Sequence, residues 1–96
     1  MLENAFFVKI TNITTKAANE YFLSREKTLK FMKNFNAENN DIYIESFANS
    51  RYFIVYDEYS KVWDICKHAN GYSRYYGRSY KTPVAALNKL EKLIKE

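Results

Sequence analysis

Apolar residues in this chain follow two rhythms, alternation and three-to-four-residue recurrence, and each switch between them predicts an element boundary. Loose alternation in AFFVKITN, Ala5 to Asn12, with its β-forming residues, predicts a first strand. NEYFL, Asn19 to Leu23, reads as a second short strand or as the approach to a helix. Ser24 is placed to cap that helix, with Glu26 in the first turn where the helix dipole favours acid. Leu29, Met32 and Phe35 give its stripe, so the helix is expected from about Arg25 to Asn36. Phe31 stands off the stripe, and Lys27, Lys30 and Lys33 mark a solvated side. The polar cluster NAENN, Asn36 to Asn40, then breaks the chain. DIYIESF (Asp41–Phe47) and RYFIVYD (Arg51–Asp57) are strands joined by a turn at Ala48-Asn49-Ser50. DEYS, Asp57 to Ser60, turns the chain into Lys61.

The last third, from Lys61 onward, organises the rest. Asn70-Gly71 suits a two-residue turn, because Asn-Gly accepts positive φ at both central positions at least cost. That turn would pair Ala69 with Tyr72, Lys67 with Arg74, Ile65 with Tyr76, Trp63 with Arg78 and Lys61 with Tyr80. One hairpin face would then carry Trp63, Ile65, Lys67, Tyr72, Arg74, Tyr76, Arg78 and Tyr80, aromatic and basic. The other would carry Val62, Asp64, Cys66, His68, Ser73, Tyr75, Gly77 and Ser79, small and polar. Thr82 caps a second helix with Pro83 at its first position, and Val84, Leu87, Leu90 and Ile94 form its stripe. At an offset of 58, the stretch around Phe22-Leu23-Ser24 overlays that around Tyr80-Lys81-Thr82, a faint strand-cap-helix repeat. The expected fold is a single α+β domain over residues 1–96: an antiparallel sheet of four to six strands with two helices packed on one face. The helices are expected to bury their stripes against Phe53, Val55 and Ile65.

Composition changes this picture in two ways. Aromatics make up 18% of the chain, with nine Tyr, and the charge is unevenly spread. Residues 1–60 carry seven Lys or Arg against eight Asp or Glu, whereas residues 61–96 carry eight against three. A localised positive field favours anionic partners, either nucleic acid or an acidic protein patch. No run of about 18 apolar residues predicts a membrane span. The first residues do not read as a signal peptide, and the single Cys66 fits a reducing compartment, so the expected location is cytoplasmic.

Catalytic and metal chemistry find little footing, and neither metal nor cofactor is expected. One His and one Cys, two residues apart on a strand, cannot make a tetrahedral N/S site. Cys66 and His68 alternate onto one face, but a nucleophile also needs a base held by an orienting group. Asp57 and Glu58 fall in a turn, and two glycines in all leave no phosphate-cradling loop. The chain is therefore read as a binding domain rather than an enzyme. Its candidate contact residues are Trp63, Lys67, Tyr72, Arg74, Tyr76, Arg78 and Lys81, the aromatics to stack and the cations to meet phosphates or guanine edges. The competing reading makes the same hairpin face the core side, with Trp63, Ile65, Tyr76 and Tyr80 under the helices and Lys67, Arg74 and Lys81 left exposed.

Trp63-Asp64-Ile65, Asn70-Gly71, Arg74-Tyr75-Tyr76-Gly77 and Thr82-Pro83-Val84-Ala85-Ala86-Leu87 together resemble the three-strand-plus-helix DNA readers. These include the plant ethylene-response-factor domain and the arm-binding N-terminal domains of phage integrases. The resemblance covers about a third of the chain and implies that the sheet face away from the helix enters the major groove, with Trp63, Arg74 and Arg78 on DNA. The chain departs from the pattern by an extra residue between Gly77 and Thr82 and by preceding strands without the basic residues of those domains. Two functions are carried forward. The first is nucleic-acid binding through the basic, Tyr/Arg-rich hairpin. The second is a small phage or mobile-element inhibitor, anti-CRISPR-like, that binds a host nuclease or defence complex, with Glu45, Asp57 and Glu58 as its acidic surface. Exposed edge strands make either a monomer or a homodimer compatible with the pattern.

Overall fold

The computed structural model describes residues 5–47, 49–69 and 72–95, apart from the side chains at 49, 50, 69 and 72–78. Six strands and two helices follow in the order β1 (Ala5–Asn12), β2 (Ala18–Ser24), α1 (Arg25–Lys33), β3 (Asn40–Ser46), β4 (Asn49–Asp57), β5 (Val62–Ala69), β6 (Tyr72–Tyr80) and α2 (Pro83–Lys95). The strands form one antiparallel sheet in the order β2-β1-β3-β4-β5-β6, with both helices on the same face. The α+β architecture expected from the patterning is the one observed, and the segment at Asn19–Leu23 is a strand. Strands β3 to β6 run as a meander, and each edge strand leads directly into a helix.

Local chemistry accounts for the helix boundaries. Ser24 is extended, and its Oγ accepts from the Lys27 amide at 3.4 Å, which caps α1. The helix closes at Lys33, three residues before the expected end, because Asn34 leaves helical geometry while its N–H reaches back to the Lys30 carbonyl. At α2, the Thr82 Oγ1 accepts from the Ala85 amide at 3.2 Å. Arg25 ties the two helices together, its Nε donating to Glu91 Oε1 at 2.6 Å and its guanidinium to the Asn88 side-chain carbonyl.

The core lies between the helices and one sheet face. Phe6, Val8, Ile42, Ile44, Tyr52, Ile54, Trp63 and Ile65 from the strands meet Met32 from α1 and Ala86, Leu87, Leu90 and Leu93 from α2. Each fully buried aliphatic side chain contributes about 1.5–3 kcal/mol relative to its exposed state. Three expectations need correction. Phe53 and Val55 face away from the helices, and Tyr52 and Ile54 take their place, because β4 is apolar on both faces and its alternation does not choose between them. Val84 is exposed, since α2 turns Ala86 and Leu93 inward beside Leu87 and Leu90. The hairpin keeps the expected pairs Ala69–Tyr72 and Lys67–Arg74, then slips: Trp63 pairs with Tyr80 and Asp64 with Ser79. Residues 76–78 stand opposite Ile65 alone, a bulge around Gly77, so the expected pairings Ile65–Tyr76, Trp63–Arg78 and Lys61–Tyr80 do not form. The connecting Asn70-Gly71 lies outside the described residues.

Candidate functional site

The helix side of the sheet is also the cationic side. Lys27, Lys30, Lys33, Lys89, Lys92 and Lys95 line the two helices, and Lys61 and Lys81 lie in the connections beside them. Lys33, Lys61 and Lys81 meet at one place. With Met32, Phe35, Tyr56, Trp63 and Pro83 they line a pocket of about 280 Å³ where the end of α1, the β4–β5 turn and the start of α2 come together. Among the described residues no carboxylate lines the pocket, and none of the three lysines forms an ion pair. Its floor is an aromatic cluster: Tyr56 and Trp63 rings 4.8 Å apart, with Phe35 at 5.9 and 6.0 Å from them. Lys61 holds a left-handed backbone (φ 56°), a conformation that a non-glycine residue adopts at a cost. The turn around it is fixed by the Asp57 carboxylate, which accepts from the amides of Tyr59 and Ser60.

The candidate residues named from sequence are therefore dispersed. Trp63 is 4% exposed and belongs to the core beneath Phe35 and Tyr56, on the helix side of the sheet. That corrects the placement the DNA-reader resemblance implied, in which Trp63 lies on the face away from the helix. Lys67 shares the helix side, its ammonium 5.7 Å from the centre of the Tyr52 ring. Lys81 lines the lysine pocket. Arg74 is placed by backbone pairing opposite Lys67, and Tyr72 opposite Ala69, while the side chains of Tyr72, Arg74, Tyr76 and Arg78 lie outside the described residues. Sequence reasoning missed Lys33 and Lys61, and the available signal was slight: Lys33 ends a run of lysines at three-residue spacing.

The opposite, helix-free face has a different character. A row of rings crosses it: Phe47 to Phe22 at 4.9 Å, Phe22 to Phe7 at 5.5 Å, Phe7 to Tyr43 at 6.3 Å, Tyr43 to Phe53 at 4.8 Å and Phe53 to His68 at 4.5 Å. Phe22 is 63% exposed and Phe47 42%. Alternation also places the carboxylates Glu20, Asp41, Glu45 and Asp64 on this face, with Lys9 and Arg51. The Tyr43 hydroxyl donates to Glu45 Oε2 at 2.7 Å and, with His68 protonated at Nε2, accepts from that nitrogen at 2.9 Å. Partial burial and the adjacent Glu45 carboxylate push the Tyr43 hydroxyl well above the ordinary tyrosine range. Burial, aided by Asp64, likewise pushes the Cys66 thiol up and so disfavours its thiolate. His68 is turned to Tyr43 and Glu45, and Glu45 joins this cluster while Asp57 serves its own turn, so the expected acidic trio is divided.

Among the described residues no three His, Cys, Asp or Glu side chains gather as a metal site, and no helix is long and apolar enough to cross a membrane. No protein-family model, curated protein or solved structure matches the chain.

Proposed function

We propose that this protein is a non-enzymatic nucleic-acid-binding domain that meets the phosphate backbone with its helix side, centred on Lys33, Lys61 and Lys81. The observation that carries the reading is the convergence of three lysines from three separate segments, with no carboxylate among the described residues there, over an aromatic floor. Like charges brought this close repel one another, and a polyanion relieves that repulsion while releasing its own counterions. The lysines of α1 and α2 extend the same field across the helix layer. Lys67 and the hairpin arginines Arg74 and Arg78 would add contacts at one end.

Fluorescence polarisation with labelled single- and double-stranded oligonucleotides, at low and physiological salt, tests the proposal. Binding should weaken steeply with salt, and Lys33→Glu/Lys61→Glu/Lys81→Glu should lose most of it. Removing three phosphate contacts lowers the single-strand salt slope by about 2. Binding that survives this change but fails in Arg74→Glu/Arg78→Glu would move the site to the hairpin, and no binding at low salt would overturn the reading.

The exposed aromatic row with its carboxylates favours a second reading. There the chain is a protein-binding inhibitor or adaptor, a small phage or mobile-element protein that presents its helix-free face to the cationic groove of a nucleic-acid-handling protein. Large, rigid aromatic contacts with acidic neighbours suit such a groove. Pull-down that resists salt and is lost in Phe22→Glu/Phe47→Glu would select this reading over the first.

A further inference from the structure

Phe31 stands off the apolar stripe of α1, and the fold gives it a distinct setting. Lys27 and Phe31, four residues apart, share one face of α1 with Lys30 beside them, and Phe35 follows just past the helix end. That face looks over Ile10 of β1 and Leu23 of β2, and together they line a cleft of about 590 Å³. Ile10, Leu23, Phe31 and Phe35 are each only half-buried, so the cleft presents apolar surface to solvent rather than closing as core. The Phe31 ring is braced against Tyr21 at 5.0 Å, which holds one wall open. Lys27 and Lys30 are both exposed, and neither forms an ion pair with another described residue. Among the described residues no carboxylate lines the cleft.

We propose that this cleft binds an amphipathic anion, specifically an aliphatic carboxylate, with its chain along Ile10, Leu23, Phe31 and Phe35 and its head group between Lys27 and Lys30. The volume lies within the range of small-molecule sites, and an apolar floor beside Lys27, Lys30 and the amides of Asn34, Asn36 and Asn40 selects the ligand class. A neutral chain would leave the lysines unanswered. A nucleic-acid strand, charged at every nucleotide, would leave the apolar floor unused. The site is distinct from the pocket beyond Phe35, which holds Lys33, Lys61 and Lys81, although Lys27 and Lys30 also belong to the α1 field invoked for nucleic acid.

The test is an amide chemical-shift titration of the whole chain with sodium dodecanoate below its micelle concentration, set beside dodecanol and dodecyltrimethylammonium. Saturable shifts should cluster at residues 10, 23 and 27–35, with dodecanoate bound more tightly than either control. Lys27→Glu/Lys30→Glu, which alters exposed side chains and whose own spectrum reports its folding, should bind dodecanoate roughly tenfold more weakly. Equal binding of the three amphiphiles, shifts scattered over the surface, or unchanged affinity in the double variant would each overturn the proposal.

Discussion

The two faces of this sheet are built from the same strands and similar residue types, yet they do different things. On the helix side, Ile44, Ile54, Ile65 and Trp63 are sealed beneath Leu87, Leu90 and Met32, and charge lies outside that core, on the helices as lysines and the Arg25–Glu91 pair and on the connections as Lys61 and Lys81. On the helix-free side, Phe53 is 5% exposed, with Tyr43 and His68 lying against it, and the row runs out to solvent at Phe22 and Phe47. The first face gains stability by excluding water from its centre. The second keeps apolar surface available, interrupted by carboxylates and a hydroxyl–carboxylate–imidazole cluster. Apolar content therefore does not decide which face is core; the presence of a covering layer does.

Substitution in matched pairs should separate the two faces most sharply. Ile54→Ala, at a fully buried helix-side position, should cost about 2–5 kcal/mol in urea denaturation. Phe22→Ala, on the open face, should change stability by only about 0.5 kcal/mol. A loss of similar size at both positions would mean that the open face is also covered in solution.

The helix side has one defect that a smaller experiment can use. Thr28 of α1 is fully buried, and its Oγ1 has no hydrogen-bond partner among the described residues. Thr28→Val keeps the shape and removes an unsatisfied hydroxyl, so it should stabilise the protein by about 1 kcal/mol, read as a higher urea midpoint. A destabilised variant would show that the hydroxyl is satisfied, for instance by water.

The least effect is expected from the open-face cluster, and only in alkali. Tyr43 in the folded protein holds its proton more tightly than an ordinary tyrosine, which ionises near pH 10. As pH rises past that value the unfolded state loses the proton first and so binds fewer protons, and stability falls. Below it, both states are protonated and this contribution is fully present. The urea midpoint should therefore decline more steeply above pH 10 in the parent than in Tyr43→Phe; parallel declines would refute the assignment.

Much of the fold was legible because its signals are local. Ser24 and Thr82 cap their helices by short-range hydrogen bonds, and β1 spans the residues its β-rich alternation marks. The candidate site was less legible. Lys33, Lys61 and Lys81 are far apart along the chain, and nothing in their local spacing announces that they meet. Trp63 suits both a contact surface and a core, because aromatic side chains serve either role and only a covering helix distinguishes them. RYFIVYD is apolar on both faces, so the choice between Phe53 and Ile54 as the inward residue was closed to periodicity.

By itself the chain's patterning determined the α+β class, the caps and the elements other than the strand at Asn19–Leu23, which it left open, all through interactions within a few residues. Only the tertiary structure decided which sheet face the helices cover, how the hairpin slips by two residues at Gly77, and which lysines share a pocket. These depend on the fit of whole layers and on pairings remote in sequence, where one register is chosen because it buries the most apolar surface at once.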